Sequence, residues 1–147
     1  MDFIITIDTE ADNQWARPET VTTDNTKYIP RFQALCERYG FKPTYLCTYE
    51  MATSPLFRET VGPYQESGHA EIGSHLHPWN SPPFSPQEPL CHEHHTFPHE
   101  LDLDVFDRKM RVLGDVIREG FGRAPTSYRA GRYGFCDAHA DVLLGLG

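Results

Sequence analysis

The stretch Ala70-Glu71-Ile72-Gly73-Ser74-His75-Leu76-His77-Pro78-Trp79 decides the fold. Its apolar and small residues are typical of a buried strand, and Pro78 ends that strand because proline cannot donate a hydrogen bond to a sheet. Side chains two residues apart in a strand point to the same side. We therefore expect His75 and His77 to face one ion or one substrate.

Runs of the same character recur along the chain, separated by segments with helical spacing. The predicted strands cover residues 3–7, 44–49, 70–75 and 126–130, and the predicted helices cover residues 25–39, 55–67, 99–119 and a last segment capped by Asp137. Strict alternation predicts an α/β fold of parallel strands with right-handed crossovers. In such folds ligands bind where the strands end, whether the sheet is open or rolled into a barrel.

Local patterns predict how three of these elements are buried and where they end. The continuous apolar run over 3–7 predicts a strand buried on both faces. The helix over 25–39 is expected to end at Gly40, and Pro63 is expected to bend or split the helix over 55–67. The buried face of the helix over 25–39 is predicted to contain Ile29, Phe32, Leu35 and Cys36.

The composition describes one ordinary domain. The chain has 147 residues, 39% of them hydrophobic, which is enough for a single core, so we expect one domain over 1–147. The formal net charge is -8 and no basic block occurs. This argues against a nucleic-acid or anionic-membrane partner and favours a small molecule or a polymer such as an oligosaccharide.

The start of the chain and its cysteines bear on location. No run approaches the roughly 20 apolar residues of a membrane span, and Met1-Asp2 leads into the first strand without a cationic leader, so a cytoplasmic protein is expected. The four cysteines are far apart and form no Cys-x-x-Cys pair. We expect them to be reduced thiols with packing roles.

Residues that could perform chemistry follow the predicted strands. Asp8 and Glu10 follow strand one, spaced by two like His75 and His77, and Arg129 lies at the end of strand four. Two carboxylates and two imidazoles can hold a divalent ion and leave one acid or base free. A guanidinium there can hold a carboxylate in place and keep it ionised, or bind an anionic substrate group.

Three stretches together resemble the polysaccharide deacetylase family. They are Ile5-Thr6-Ile7-Asp8-Thr9-Glu10, then Glu71-Ile72-Gly73-Ser74-His75 with His77, and Tyr128-Arg129-Ala130-Gly131-Arg132-Tyr133-Gly134. Their order and spacing resemble the first three motifs of that family, over nearly the whole chain. The resemblance implies the N-terminal part of a distorted (β/α) barrel and a metal-dependent hydrolase that removes acetyl groups, commonly from N-acetylated sugars.

The resemblance also implies roles for single residues. Asp8 would be the general base, oriented by Arg129, and the ion, zinc, would be bound by Glu10 and His75. His77 is the third expected ligand, on the strand spacing alone. Two of these ligands depart from the family pattern. Glu10 replaces an aspartate expected one residue earlier, and His77 replaces a histidine expected at the position of Trp79.

The chain ends before the later motifs of the family, which supply the acid that protonates the leaving amine. We therefore expect a domain that lacks its C-terminal strands. It would be a fragment of a longer protein, a chain completed by association into a homo-oligomer, or a catalytically poor relative. The alternative functions are hydrolysis of a non-sugar amide, and metal or carbohydrate binding without turnover.

A proline-rich loop over 78–98 holds further histidines. Its segment Cys91-His92-Glu93-His94-His95, with His99, is rich in ligand types but matches no structural zinc spacing. A solvated loop is therefore expected, and the alternatives are a lid over the site or a supplier of the missing acid. The loop aromatics Trp79, Phe84 and Phe97 could stack on a sugar or cover the edge of the core. His69 and His139 are expected at the surface.

Overall fold

Four parallel strands form one curled sheet, ordered β1-β2-β3-β4, in a computed structural model that describes residues 3–16, 18–84 and 97–146. The α/β class with alternating helices, arranged as part of a (β/α) barrel, is confirmed. The strands are β1 Thr6–Thr9, β2 Thr44–Cys47, β3 Glu71–Leu76 and β4 Tyr128–Ala130.

Helices connect every pair of neighbouring strands. They are α1 Ile29–Arg38, α2 Tyr49–Thr53, α3 Pro55–Glu66, α4 Leu103–Phe121 and α5 Asp137–Leu146. Short 3₁₀ turns cover Gln14–Ala16, Asp24–Tyr28, Pro98–Glu100 and Gly131–Tyr133. The sequence did not predict α2, because its five residues were assigned to the end of strand two and to a loop. The helix α3 continues through Pro63, so the expected split is wrong.

The start and the buried face of α1 both differ from prediction. Residues Asp24–Tyr28 form a 3₁₀ turn, and α1 begins next to Pro30, whose missing N–H is tolerated in a first turn. Leu35 is 52% exposed, so its predicted burial is wrong. The position inside is taken by Gln33, whose amide is satisfied: Oε1 accepts from the Tyr45 hydroxyl at 2.9 Å and Nε2 donates to a backbone carbonyl at 3.0 Å.

Strand β1 lies at an edge of the sheet, and its burial was overestimated. The prediction of a strand over 3–7, buried on both faces, is wrong because β1 begins at Thr6 and pairs only with β2 among the described residues. Phe3 is 71% and Ile4 is 75% exposed. The ring of Phe3 instead contacts the ring of Phe41, with centroids 5.3 Å apart.

The apolar core lies between the sheet and the helices that connect β2, β3 and β4. It contains Tyr45, Cys47, Met51, Phe57, Ile72, Leu76, Phe106, Leu113 and Ile117. Each of the larger side chains contributes about 1.5–3 kcal/mol by leaving water. Because side chains alternate along a strand, the other face of the sheet carries Asp8, His75 and Arg129. The fold thus presents these three polar side chains together.

His139 is buried, so its predicted surface position is wrong. It is fully buried in α5 and its ring stacks on Phe106 at 3.8 Å between centroids. Burial, together with the charge of His99, lowers the pKa of His139 and favours the neutral ring that such stacking needs. His69 lies at the surface, as predicted, with its side chain 60% exposed.

Several other sequence predictions concern cysteines, location and the long loop. Cys36, Cys47 and Cys136 are free thiols, as expected, and the first two are buried. Within 3–16, 18–84 and 97–146, no helix combines the length and apolarity that crossing a membrane requires. Residues 85–96, with Cys91 and the histidines beside it, lie outside the described residues, so the predictions for this segment stay predictions.

Candidate metal centre

The candidate site lies on the face of the sheet away from the core, at the carboxyl ends of the strands. The paired register aligns Thr9 with Cys47 and Cys47 with Ser74. One residue further on, each strand turns a side chain to the opposite face, so Glu10, Thr48 and His75 form one row across the sheet. His75 itself pairs with Arg129.

Glu10, His75 and His77 form a compact cluster. Oε1 of Glu10 lies 3.1 Å from Nε2 of His75 and 2.8 Å from Nε2 of His77. One ligand atom from each of the three residues lies within 4.8 Å of the others. The side chains are 18%, 2% and 0% exposed. The structure therefore brings together the three residues that the sequence proposed as ligands, in a geometry that could hold a metal ion.

The hydrogen bonds of His75 require a cation in this cluster. Nδ1 of His75 lies 2.9 Å from the backbone carbonyl oxygen of Arg129, and because a carbonyl only accepts, Nδ1 carries the proton. A neutral His75 then turns the lone pair of Nε2 toward a carboxylate oxygen of Glu10, which is also an acceptor. Two acceptors at 3.1 Å repel each other unless a second proton or a metal ion lies between them.

The surroundings hold His77 in one orientation. A Cβ added to Gly131 would lie 2.5 Å from Nδ1 of His77 and 2.5 Å from the carbonyl oxygen of Leu76, so only glycine leaves space for this ring. Nδ1 itself is buried with no hydrogen-bond partner among the described residues. The ring of Trp79 lies over His77 at 4.3 Å between centroids.

The protonation states in the cluster suit metal binding. Burial by itself raises the pKa of Glu10, but the hydrogen bonds to His75 and His77 and their charges outweigh it and bring the pKa to about 2. Burial lowers the pKa of His77 more than its hydrogen bond to Glu10 raises it. An ionised carboxylate beside a neutral imidazole is the state in which both groups bind metals.

Asp8 and Arg129 form an ion pair next to the cluster. One guanidinium nitrogen of Arg129 donates to Oδ1 of Asp8 at 2.6 Å, and a second donates to the hydroxyl of Thr6. Oδ1 of Asp8 lies 4.0 Å from Nδ1 of His75. The side chains of Asp8 and Arg129 are 32% and 27% exposed, so the carboxylate borders both the cluster and solvent. This pairing is the one that the sequence analysis expected.

Aromatic side chains border one side of the cluster. Trp15, which sequence reasoning missed, contacts His77 at 5.4 Å and Trp79 at 5.6 Å between ring centroids, and it is 58% exposed. Of the predicted loop aromatics, Phe84 lies under Nζ of Lys109 at 5.0 Å and Phe97 under the guanidinium of Arg132 at 4.1 Å. Trp79 is the one of the three for which a contact with the cluster is described.

A second carboxyl group near the cluster was also missed. Glu50 lies in the first turn of α2, soon after β2 ends and at the same edge of the sheet as Glu10. Its neighbours are the side chains of Thr48, from the row that contains Glu10, and Asn80, from the segment after β3. The signal was present in the sequence, since parallel strands bring their carboxyl ends together and Glu50 follows strand two as Glu10 follows strand one.

Fold and site together define an α/β half-barrel with a candidate metal cluster at the carboxyl edge of its sheet. No family model and no curated protein matches the sequence. Among solved structures, the chain is similar to the "putative polysaccharide deacetylase" from Mycobacterium smegmatis, with a TM-score of 0.63 and 17% identity. The match covers 98% of this chain and 48% of the other, so this chain spans about half the length of that protein. At this identity the similarity shows a shared fold.

Proposed function

We propose that this chain contains the site of a metal-dependent hydrolase that removes acetyl groups from N-acetylated sugars or cleaves a related non-peptide amide bond. The observation that supports this most directly is the pair of facing acceptors, Nε2 of His75 and Oε1 of Glu10, because these two residues together with His77 could hold a metal ion. The fold shared with the mycobacterial protein supports a hydrolase over other metal-binding classes.

The proposed metal ligands are Glu10, His75 and His77. Two imidazole nitrogens and one carboxylate are a ligand set that suits zinc, which is our proposed ion. When bound, zinc would polarise a carbonyl group and lower the pKa of water. Gly131 and Trp79 would keep the His77 ring in place, because both pack directly against it.

Asp8 is the proposed general base. It pairs with the guanidinium of Arg129, it borders solvent, and it lies next to the ring of His75. It can therefore accept a proton from a water molecule that attacks the acetyl carbonyl. Arg129 holds the carboxylate by a charge-assisted hydrogen bond and aligns it further through its second bond to Thr6.

A binding function without turnover is the second candidate. The observation that favours it is the coverage, since the chain matches 48% of the mycobacterial protein, and a whole site can require residues from the other half. An oligosaccharide or a small molecule is the proposed partner in both cases. Exposed Trp15 offers a flat apolar surface on which a sugar ring could stack.

Metal analysis and acetate release test the proposal. Purified protein is loaded with zinc, dialysed, and assayed for bound metal and for acetate released from N-acetylated oligosaccharides. We expect His75→Ala and His77→Ala to lose metal and activity, and Asp8→Asn to keep metal and lose activity. His69→Ala, at an exposed histidine, is the matched control and should change neither.

Two results would contradict parts of this proposal. If neither His75→Ala nor His77→Ala lowers the metal content, the ligand assignment is wrong. If the protein binds zinc and an N-acetylated oligosaccharide but releases no acetate, and Asp8→Asn binds both equally well, the binding function replaces the hydrolase.

A further inference from the structure

Hydrolysis of an amide requires a proton for the leaving nitrogen, and the proposed ligands and base do not supply it. An amine anion is too poor a leaving group to depart without protonation, so an acid must lie near the site. Glu50 offers a carboxyl group on the β2 side of the cluster, close enough for the charge of Glu10 to act on it. We propose that Glu50 is the general acid of this site, an inference that rests on the proposed hydrolase function.

The position of Glu50 follows from the sheet. Thr48 lies in the row between Glu10 and His75, and its fully buried hydroxyl faces the same side of the sheet as the cluster. Glu50 follows two residues later, in the first turn of α2, with its side chain next to that of Thr48. Its carboxyl group therefore borders the cluster from the β2 side, while Asp8 borders it from the β1 side.

The polar neighbours of Glu50 hold its carboxyl group at this edge of the sheet. Oε2 of Glu50, Oγ1 of Thr48 and Nδ2 of Asn80 are all closed to solvent. The side chains of Thr48 and Asn80 lie next to the carboxyl group, and their hydrogen bonding to it lowers the pKa of Glu50. Because Thr48 lies in the row between Glu10 and His75, these neighbours keep the carboxyl group beside the cluster.

The environment of Glu50 favours its protonated form. Burial raises the pKa of Glu50 to about 7, and the negative charge of Glu10 adds to this, although Thr48 and Asn80 act in the opposite direction. The pKa of Glu10 lies at about 2. Two carboxyl groups whose surroundings separate their pKa values in this way can serve as an ionised ligand and a proton donor in one site.

The proton balance of the reaction is complete with these groups. Asp8 takes one proton from the attacking water, whose oxygen forms the new bond to the acetyl carbon. When the C–N bond breaks, the O–H bond of Glu50 breaks and its proton moves to the leaving nitrogen. The products are acetic acid, which loses its proton to solvent as acetate, and a free amine, while the proton on Asp8 returns through solvent to Glu50.

Two acetyl substrates with different leaving groups test this role. Wild type, Glu50→Gln and the control Glu66→Gln, an exposed glutamate, are compared on an N-acetylated oligosaccharide and on 4-nitrophenyl acetate. The amine needs a proton to leave and the nitrophenolate does not. We expect Glu50→Gln to lower acetate release from the sugar about 100-fold and to change ester hydrolysis less than about threefold.

The outcomes separate this inference from the proposed function. If both substrates slow equally in Glu50→Gln, or if neither slows, Glu50 is not the acid although the hydrolase function stands. If wild type cleaves neither substrate, the hydrolase function fails and the acid role fails with it. Loss of metal from Glu50→Gln would also overturn the inference, because it would show a supporting role for the ligands.

A stability measurement tests the protonated state independently of activity. The pKa of Glu50 is higher in the folded state, about 7, than the value of 4.5 expected in the unfolded chain. The contribution of Glu50 to stability is therefore fully present below pH 4.5 and is lost as the pH rises toward about 7. The urea midpoint of wild type should therefore fall relative to that of Glu50→Gln between about pH 5 and about pH 8. Parallel curves for the two proteins would overturn the inference, and Glu66→Gln should follow wild type.

Discussion

At the residue scale, the candidate site depends on one position without a side chain. Replacing Gly131 with alanine would place Cβ against both the His77 ring and the Leu76 carbonyl. The backbone carbonyl cannot move away cheaply, so the ring must. We expect Gly131→Ala to lose about 1–3 kcal/mol of stability and to bind zinc about 10- to 100-fold more weakly. Urea unfolding and metal titration measure the two effects.

Gly114 gives a matched control for that substitution. It lies inside α4, where an added Cβ has no atom within 4 Å. Gly114→Ala should therefore gain about 0.5–1 kcal/mol through helix propensity and leave zinc affinity unchanged. Equal zinc affinity in Gly131→Ala and wild type would show that His77 is not held by this contact.

The guanidinium of Arg129 gives a second prediction at this scale. Arg129→Lys keeps the positive charge but cannot reach Asp8 and Thr6 together, because lysine has no planar fork. We expect acetate release to fall about 10- to 100-fold through misplacement of the base, with metal content unchanged. The control Arg118→Lys changes an exposed arginine paired with Asp115 and should keep full activity. Unchanged activity in Arg129→Lys would remove Arg129 from the mechanism.

Single residues also show what the sequence could and could not reveal. Asp8, Glu10, His75 and Arg129 were found because parallel strands bring their carboxyl ends to one edge. Glu50 was missed because it lies in the first turn of a five-residue helix rather than ending a strand in an obvious pair. Trp15 was missed because its contact with His77 crosses the fold, and no local pattern encodes such a contact.

At the element scale, strand and helix types were predictable, whereas their burial depended on neighbours. The pattern of 3–7 describes a buried strand, but Phe3 and Ile4 are exposed because β1 lies at a sheet edge. Leu35 follows helical spacing, yet Gln33 is inside because Tyr45 and a carbonyl satisfy its amide. Periodicity indicates which residues share a face, and packing decides how far that face is covered.

The contact between α4 and the segment after β3 is the clearest of these packing effects. Lys109 is 1% exposed, and its ammonium group donates to the carbonyls of Ser81 at 2.6 Å and Pro83 at 2.9 Å. Lys109→Met should fill the space but leave both carbonyls without this donor. We expect a loss of about 2 kcal/mol in the free energy of unfolding, measured with urea.

Arg111 on the same helix is the control for Lys109. It is 57% exposed and pairs with Asp107 across one turn. Arg111→Met should leave the urea midpoint essentially unchanged, because an exposed ion pair is screened by solvent. If Lys109→Met were as stable as Arg111→Met, the buried ammonium would not fix the position of the segment after β3.

At the scale of the whole molecule, the candidate centre joins distant parts of the chain. Glu10 and His75 are 65 residues apart, and Asp8 and Arg129 are 121 residues apart. The unfolded chain therefore has no preformed site, and an ion that binds the folded state stabilises the whole sheet. The curled sheet and the site depend on the same strand pairings.

This coupling predicts that zinc raises the melting temperature. At a free concentration about 100 times its Kd, zinc should add about 2.7 kcal/mol of stability, which corresponds to roughly 5–10 °C for a chain of this size. His75→Ala and His77→Ala should lose this shift, while the control His69→Ala should keep it. Magnesium, which prefers oxygen ligands, should give a much smaller shift. Thermal unfolding followed by circular dichroism measures each of these cases. A zinc shift in the two cluster variants equal to that of wild type would place the ion elsewhere on the protein.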